Sequence, residues 1–311
     1  SISKRRITNM STFESTNGAP ARASLDLTKL RTVILDLKES VAKRTHAAFH
    51  LRTIATVEAM EVVAEALRQR ADSELMRHEL AYILGQMQFQ EAIATLTDIV
   101  EDESDDILVR HESAEALGAI GQLESLDVLN KYVDHTAPEI AETCQIAVDL
   151  IKYRHEQNDG QQEEKGSFLS VDPAPGFKET QSCEQLEETY MDTTKSLFHR
   201  YRAMFSLRDL NSDESALVLA KGLSDNSALF RHEVAYVLGQ LMRSCTVPAL
   251  SKCLESTDEH SMVRHEAAEA LGAIGGAEAE EVLGRFTDHG DEVVTQSCVV
   301  ALDTAEYWKT F

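Results

Sequence analysis

Two stretches of this chain are written twice. Residues 77–87 read RHELAYILGQM and residues 231–241 read RHEVAYVLGQL; residues 110–121 read RHESAEALGAIG and residues 264–275 read RHEAAEALGAIG. Both pairs are offset by 154 positions, and within each half the motif returns after 33 residues, from His78 to His111 and from His232 to His265. A period of that length is one supersecondary unit of a stacked-repeat protein, whose units bury their apolar faces only against their neighbours. Weaker copies extend the duplication to nearly the whole chain: KRTHAAFHLRTI at 43–54 matches HRYRAMFSLRDL at 199–210, and CQIAVDLIKY at 144–153 matches CVVALDTAEY at 298–307.

Within a repeat, apolar residues fall at helical spacing, as in Leu80, Ile83, Leu84 and Met87, then again in Ala92, Ile93, Leu96, Ile99 and Val100. Each repeat is therefore read as two short antiparallel helices, and no segment alternates with the period of a strand. Gly85, Gly118, Gly239 and Gly272 each follow a motif histidine by seven residues, two turns along one face, where a missing side chain lets a neighbouring helix come close. The expected organisation is all-α: a tail over 1–28, one half over 29–154, an exposed polar linker over 155–180 carrying Pro173 and Pro175, and a second half over 181–311.

Composition narrows the classes. The longest apolar runs fall short of a membrane span, and the first 24 residues lack the apolar core of a secretory signal, so neither membrane insertion nor secretion is expected. A mitochondrial presequence would show an amphipathic pattern that is not evident there. Five cysteines without a CxxC spacing suggest no disulfide framework and fit a reducing cytoplasm. The net charge of -23 disfavours nucleic acid and suits a basic or polyamine-like partner, although ordinary solubility alone would also explain it.

The recurring His-Glu pairs carry the chemistry. Adjacent helical residues point about 100° apart, so each pair can aim an imidazole and a carboxylate at one wide face. Equivalent positions of stacked repeats line one surface, which makes His78 and His111 neighbours, as well as His232 and His265. Two halves face to face would gather four imidazoles and four carboxylates, a donor set that selects iron, manganese or zinc over calcium. The preceding arginines, Arg77, Arg110, Arg231 and Arg264, are open to two readings: partners of surplus carboxylates, or solvent-facing charges. Glu115 and Glu269 lie one turn past His111 and His265 and can orient an imidazole; Tyr82 and Tyr236 hold the matching places, where packing is the simpler role. A fifth pair, His155-Glu156, breaks the 33-residue spacing and is set aside, and His135 and His289 are assigned to turns. HExxH is absent, which disfavours a zinc protease.

RHELAYILGQM with RHESAEALGAIG, given twice, resembles the deoxyhypusine hydroxylases over roughly residues 30–310. The resemblance implies a HEAT-like helical-repeat solenoid of two homologous halves, about four hairpins each, related by a pseudo-two-fold axis. It implies a di-iron monooxygenase that uses molecular oxygen to hydroxylate the deoxyhypusine side chain of a translation factor 5A precursor. By that resemblance His78, His111 and Glu112 would hold one iron and His232, His265 and Glu266 the other, while Glu79 and Glu233 would meet the substrate's amine groups or support the ligands. Iron suits the implied reaction, since attack on an unactivated C–H bond needs a redox metal, which zinc is not. A non-catalytic repeat scaffold and a metal-dependent hydrolase at the same ligands are the competing expectations.

Overall fold

The computed structural model describes residues 26–156 and 168–309. Among them are sixteen α-helices and no strand, arranged as eight hairpins. The first half comprises α1 (Leu27–Leu35), α2 (Val41–Ile54), α3 (Val57–Leu67), α4 (Glu74–Met87), α5 (Ile93–Glu101), α6 (Ile107–Ile120), α7 (Ser125–Tyr132) and α8 (Pro138–Glu156). The second comprises α9 (Cys183–Met191), α10 (Leu197–Leu210), α11 (Asp213–Lys221), α12 (Ala228–Leu241), α13 (Val247–Glu255), α14 (Ser261–Ile274), α15 (Ala277–Gly284) and α16 (Glu292–Lys309).

The even-numbered helices form an inner layer and the odd-numbered ones an outer layer. Inner helices start on side-chain caps: Ser40, Ser73, Asp106, Ser196 and Ser227 each accept a backbone N–H of the first turn. Most of them stop by turning left-handed, at Ala55, Gln88, Gly121, Asn211 and Met242. The inner helices also approach unusually closely. A Cβ built on Gly85 would lie 2.9 Å from Ala116 Cα, and one on Gly118 2.8 Å from Ala147 Cβ; Gly239 and Gly272 meet Ala270 and Ala301 in the same way. These glycines serve packing, as their register suggested.

The arginine before each motif histidine neither faces solvent nor pairs with the carboxylates of the His-Glu pairs; where it meets a carboxylate, that group lies in the next hairpin. Arg77 Nε donates to Leu67 O at 3.0 Å and its two Nη atoms bind Asp105 of the next repeat at 2.5 and 2.6 Å. Arg110 and Arg264 reach the carbonyls of Val100 and Leu254, again ten residues back. Arg231 pairs with Glu259. One helical position before the histidine points back across the hairpin, where the outer helix presents unsatisfied C-terminal carbonyls. Arg44 and Arg200 make the same bond to Ile34 and Tyr190 in repeats that lack a His-Glu pair, so the arginine belongs to the hairpin.

Two apolar cores result, one running from Ile34 to Ile151 and the other mainly through the second half. The halves close on each other: α16 packs against α2, and α8 against α10. His46 Nε2 lies 3.3 Å from Asp303 at the first seam, and Ser227 Oγ donates to Glu142 at 2.6 Å at the second.

The segment boundaries differ from expectation at two places. Asp26 caps α1, so Leu27 and Thr28 are helical; the remainder of the expected tail, through residue 25, lies outside the described residues. His155 and Glu156 end α8, residues 157–167 lie outside the described residues, and the following stretch is not the exposed linker expected. Ala174 is fully buried, and Phe168 and Phe177 pack against the second core. Polar composition hid this because the segment is held mainly through polar contacts: Arg208 binds Asp172, and Gln86 exchanges two hydrogen bonds with the backbone of Val171.

Candidate metal centre

Helices α4, α6, α12 and α14 surround a common axis and turn their motif histidines inward. Ring centroids of His78 and His111 are 5.5 Å apart, those of His232 and His265 5.3 Å. Across the halves His78 lies 4.9 Å from His265, and His111 lies 5.3 Å from His232. All four rings are buried, with His111 and His265 at 0 % exposure. The structure thus brings together the four imidazoles that the repeat register predicted.

The carboxylates join them. Glu112 Oε2 lies 3.2 Å from His78 Nε2 and 3.9 Å from His111 Nε2, and Glu266 Oε2 lies 3.3 Å from His232 Nε2. Glu79 Oε1 is 3.3 Å from His78 Nδ1. Two groupings place three donor atoms within 4.8 Å of one another: His78, His111 and Glu112, and His78, His232 and His265. The first coincides with one ligand set implied by the resemblance. In the other implied set Glu266 meets His232, while the ring of His265 stands edge-on to His78 at 4.9 Å and lies 5.3 Å from His232. The two sets are contiguous parts of one pocket.

Electrostatics follow from burial. Burial, reinforced by the neighbouring imidazoles, holds His111 and His265 well below the usual imidazole range, so both are neutral and keep a lone pair. Burial also opposes protonation of His78, but Glu112 and Glu79 outweigh it and lift this ring well above the ordinary value. Burial and then neighbouring carboxylates push Glu115, Glu233 and Glu269 well above the carboxylate range.

Glu269 Oε1 lies 3.5 Å from His265 Nδ1, in place to orient that ring. The tyrosines do more than pack: Tyr82 Oη and Tyr236 Oη meet at 3.0 Å, and Gln240 Nε2 donates to Tyr236 Oη at 2.9 Å. Sequence reasoning placed both residues but missed the bond; equal spacing from His78 and His232 was the available signal, since a two-fold axis makes such positions meet. His155 lies 3.1 Å from Gly121 O, apart from the pocket, and His135 and His289 accept backbone N–H groups in turns.

A closed helical-repeat protein with a buried imidazole and carboxylate centre is the class that fold and site define. A family model described as HEAT repeats matches residues 60–148 and 216–303. Deoxyhypusine hydroxylase of Drosophila melanogaster is 46 % identical over 275 residues, covering 88 % of this chain and 90 % of the relative. That of Danio rerio is 43 % identical over 286 residues, covering 91 % and 92 %, and that of Homo sapiens 45 % identical over 274 residues, covering 88 % and 89 %. A solved structure of human deoxyhypusine hydroxylase in complex with glycerol superposes with a TM-score of 0.86 at 43 % identity, covering 90 % of this chain and 96 % of that one. The chain belongs to the deoxyhypusine hydroxylase family of hydroxylating enzymes.

Proposed function

We propose that the chain hydroxylates the deoxyhypusine side chain of a translation factor 5A precursor in the cytoplasm, with molecular oxygen as co-substrate and two iron ions held in the four-histidine pocket. One observation carries this reading. Seven of the eight ring nitrogens of His78, His111, His232 and His265 are buried without an aligned hydrogen bond, and three of the seven have a carboxylate oxygen within 3.5 Å, the arrangement of donor atoms around a shared cation. Leaving one buried polar group unpaired costs about 1–3 kcal/mol, so the cluster is poor as packing and apt as a ligand set.

His78, His111 and Glu112 would hold one iron, and His232, His265 and Glu266 the other. Bound iron would supply the redox chemistry that hydroxylation of an unactivated C–H bond requires. Neutral His111 and His265 present lone pairs without first losing a proton. Glu233 Oε1 is buried without a partner, so an ammonium group reaching it would bring both counter-charge and N–H donors; Glu79 would play the matching part in the first half. The Tyr82–Tyr236 bond ties the two halves together one turn beyond the histidines. The -23 net charge would steer a basic partner at a rate that falls with added salt. All five cysteines are free thiols, in keeping with a reducing compartment.

The test pairs iron content with turnover. About two irons per chain, as in other di-iron carboxylate proteins, and oxygen-dependent gain of one oxygen atom on the modified lysine are expected. Failure to bind iron under anaerobic reconstitution would leave the scaffold reading, and turnover without oxygen would leave the hydrolase.

A further inference from the structure

Duplication makes the two flanks of the pocket comparable residue by residue. Gly118 lies against Ala147 as Gly272 lies against Ala301, so α8 and α16 correspond at an offset of 154. On the flank between α8 and α10, Glu115 borders a small cavity walled by Ile146, Leu150, Pro173 and Leu229. Tyr201 of α10 closes in behind them, with its ring 5.7 Å from Phe230 and its Oη donating to Leu229 O at 3.3 Å. Ile146, Leu150 and Tyr201 are 3 %, 1 % and 1 % exposed.

The flank between α2 and α16 is built from smaller side chains. Val300 and Thr304 stand at the duplicated positions of Ile146 and Leu150, and Thr45 stands at that of Tyr201, 156 residues earlier. Thr45 meets Met76 where Tyr201 meets Phe230, which confirms the correspondence. The helices pair alike on both flanks, α2 with α16 and α8 with α10, so the missing bulk is not replaced by a different helix neighbour. Val300 and Thr304 are only partly buried, and Glu269, the duplicate of Glu115, keeps 29 % of its side-chain surface open.

The outer ends differ in charge as well. At the α8–α10 flank Arg202 donates to the carbonyls of Pro175 and Gly176 and lies 4.9 Å from the Tyr153 ring and 4.5 Å from that of Phe177. Its duplicate is His46, whose Nε2 lies 3.3 Å from the half-exposed carboxylate of Asp303. A cationic arm therefore meets a fixed guanidinium at one flank and a surface carboxylate at the other. Inside the α2–α16 flank, Glu269 lies against His265 and Glu79 against His78, and those two rings are 4.9 Å apart.

We propose that the amine-bearing side chain of the substrate enters the pocket through the α2–α16 flank, with Thr45, Val300 and Thr304 setting the width of the passage. The proposal rests on the function given above and names the route to that site. Glu269 and Glu79 receive the incoming ammonium groups, and Glu233, buried on the sealed flank with Oε1 unpartnered, stands at the closed end.

The test narrows the passage and follows the deoxyhypusine-bearing precursor. Thr304→Leu with Val300→Ile copies the sealed wall onto the open flank and should raise KM about tenfold with kcat and iron content unchanged, the pattern of weakened substrate binding. Leu150→Thr should leave KM as it is, because Tyr201 and Pro173 still close that side. Thr304→Cys adds a readout that needs no turnover: a bulky thiol adduct there should block precursor binding, measured by fluorescence anisotropy, and a methyl-sized adduct should not, with iron retained in both and the wild type treated alike as reference. Unchanged KM in the Leu and Ile variant, or equal effects of the two adducts, would overturn the route. Precursor binding without turnover in the wild type would instead fault the proposed reaction, and the adduct contrast would still decide the route.

Discussion

Tyr82 and Tyr236 are 154 positions apart in the chain and 3.0 Å apart at their hydroxyls, so one hydrogen bond spans the two halves beside the histidines. Tyr82→Phe and Tyr236→Phe each remove that same bond. Each should lower unfolding free energy by about 1 kcal/mol, and the double variant should cost less than the sum, because a shared interaction is lost once. Urea titration of the four proteins measures the coupling; strict additivity would mean that the hydroxyls do not interact in solution.

His111 and Glu79 separate metal binding from substrate binding. His111→Ala should lose iron with helical content retained. Glu79→Ala should keep iron and raise KM for the modified factor far more than it lowers kcat. Iron analysis beside steady-state kinetics distinguishes the two, and loss of iron from Glu79→Ala would move that carboxylate into the ligand set.

Arg77 is a structural residue despite its place beside His78. Arg77→Ala should cost about 3 kcal/mol, the low end for breaking a buried ion pair, since Arg70 still contacts Asp105. The folded fraction should bind iron as the wild type does, read by denaturation midpoint and metal content. A fall in iron affinity at full stability would instead give the arginine a role at the pocket.

The close approach of inner helices predicts a contrast between glycines. Gly272→Ala places a methyl 2.6 Å from Ala301 Cβ and should destabilise by about 1–3 kcal/mol, the range for overpacking. Gly284→Ala meets nothing within 4 Å and should be neutral or gain up to about 1 kcal/mol from helix propensity. Thermal melts of the two variants settle the comparison.

Metal-free protein should have a narrow pH range of stability. His111 and His265 titrate below their unfolded value of 6.5, so the unfolded chain binds more protons and stability falls as pH drops through that window. Glu115, Glu233 and Glu269 titrate above their unfolded value of 4.5, so the folded chain binds more protons and stability falls as pH rises toward their folded values. His78, raised above 6.5, adds to the loss on the alkaline side. Melts in chelator across this range should give a peaked profile that broadens when iron is restored; a flat profile without metal would contradict these shifts.

The duplication made the repeats, the two halves and the convergence of His78, His111, His232 and His265 legible, because stacking turns periodicity along the chain into adjacency in space. The arginines were ambiguous because an ion pair 28 residues away, such as Arg77 with Asp105, leaves no local pattern. Their recurrence at Arg44 and Arg200, where no His-Glu pair follows, was the clue to a hairpin role. The docking of Val171 to Ala174 was illegible for a different reason: hydrogen bonds from Gln86 and Arg208 fix the segment, and polar composition reads the same in a bound strap as in a free loop.

Because α16 meets α2 as α8 meets α10, each half carries two edges that are complementary to those of the other. A half produced as a separate polypeptide would therefore expose both edges until it found a second copy, and two copies would assemble as a symmetric homodimer with the four histidines on its axis. The present chain has the layout expected of such a dimer after gene fusion.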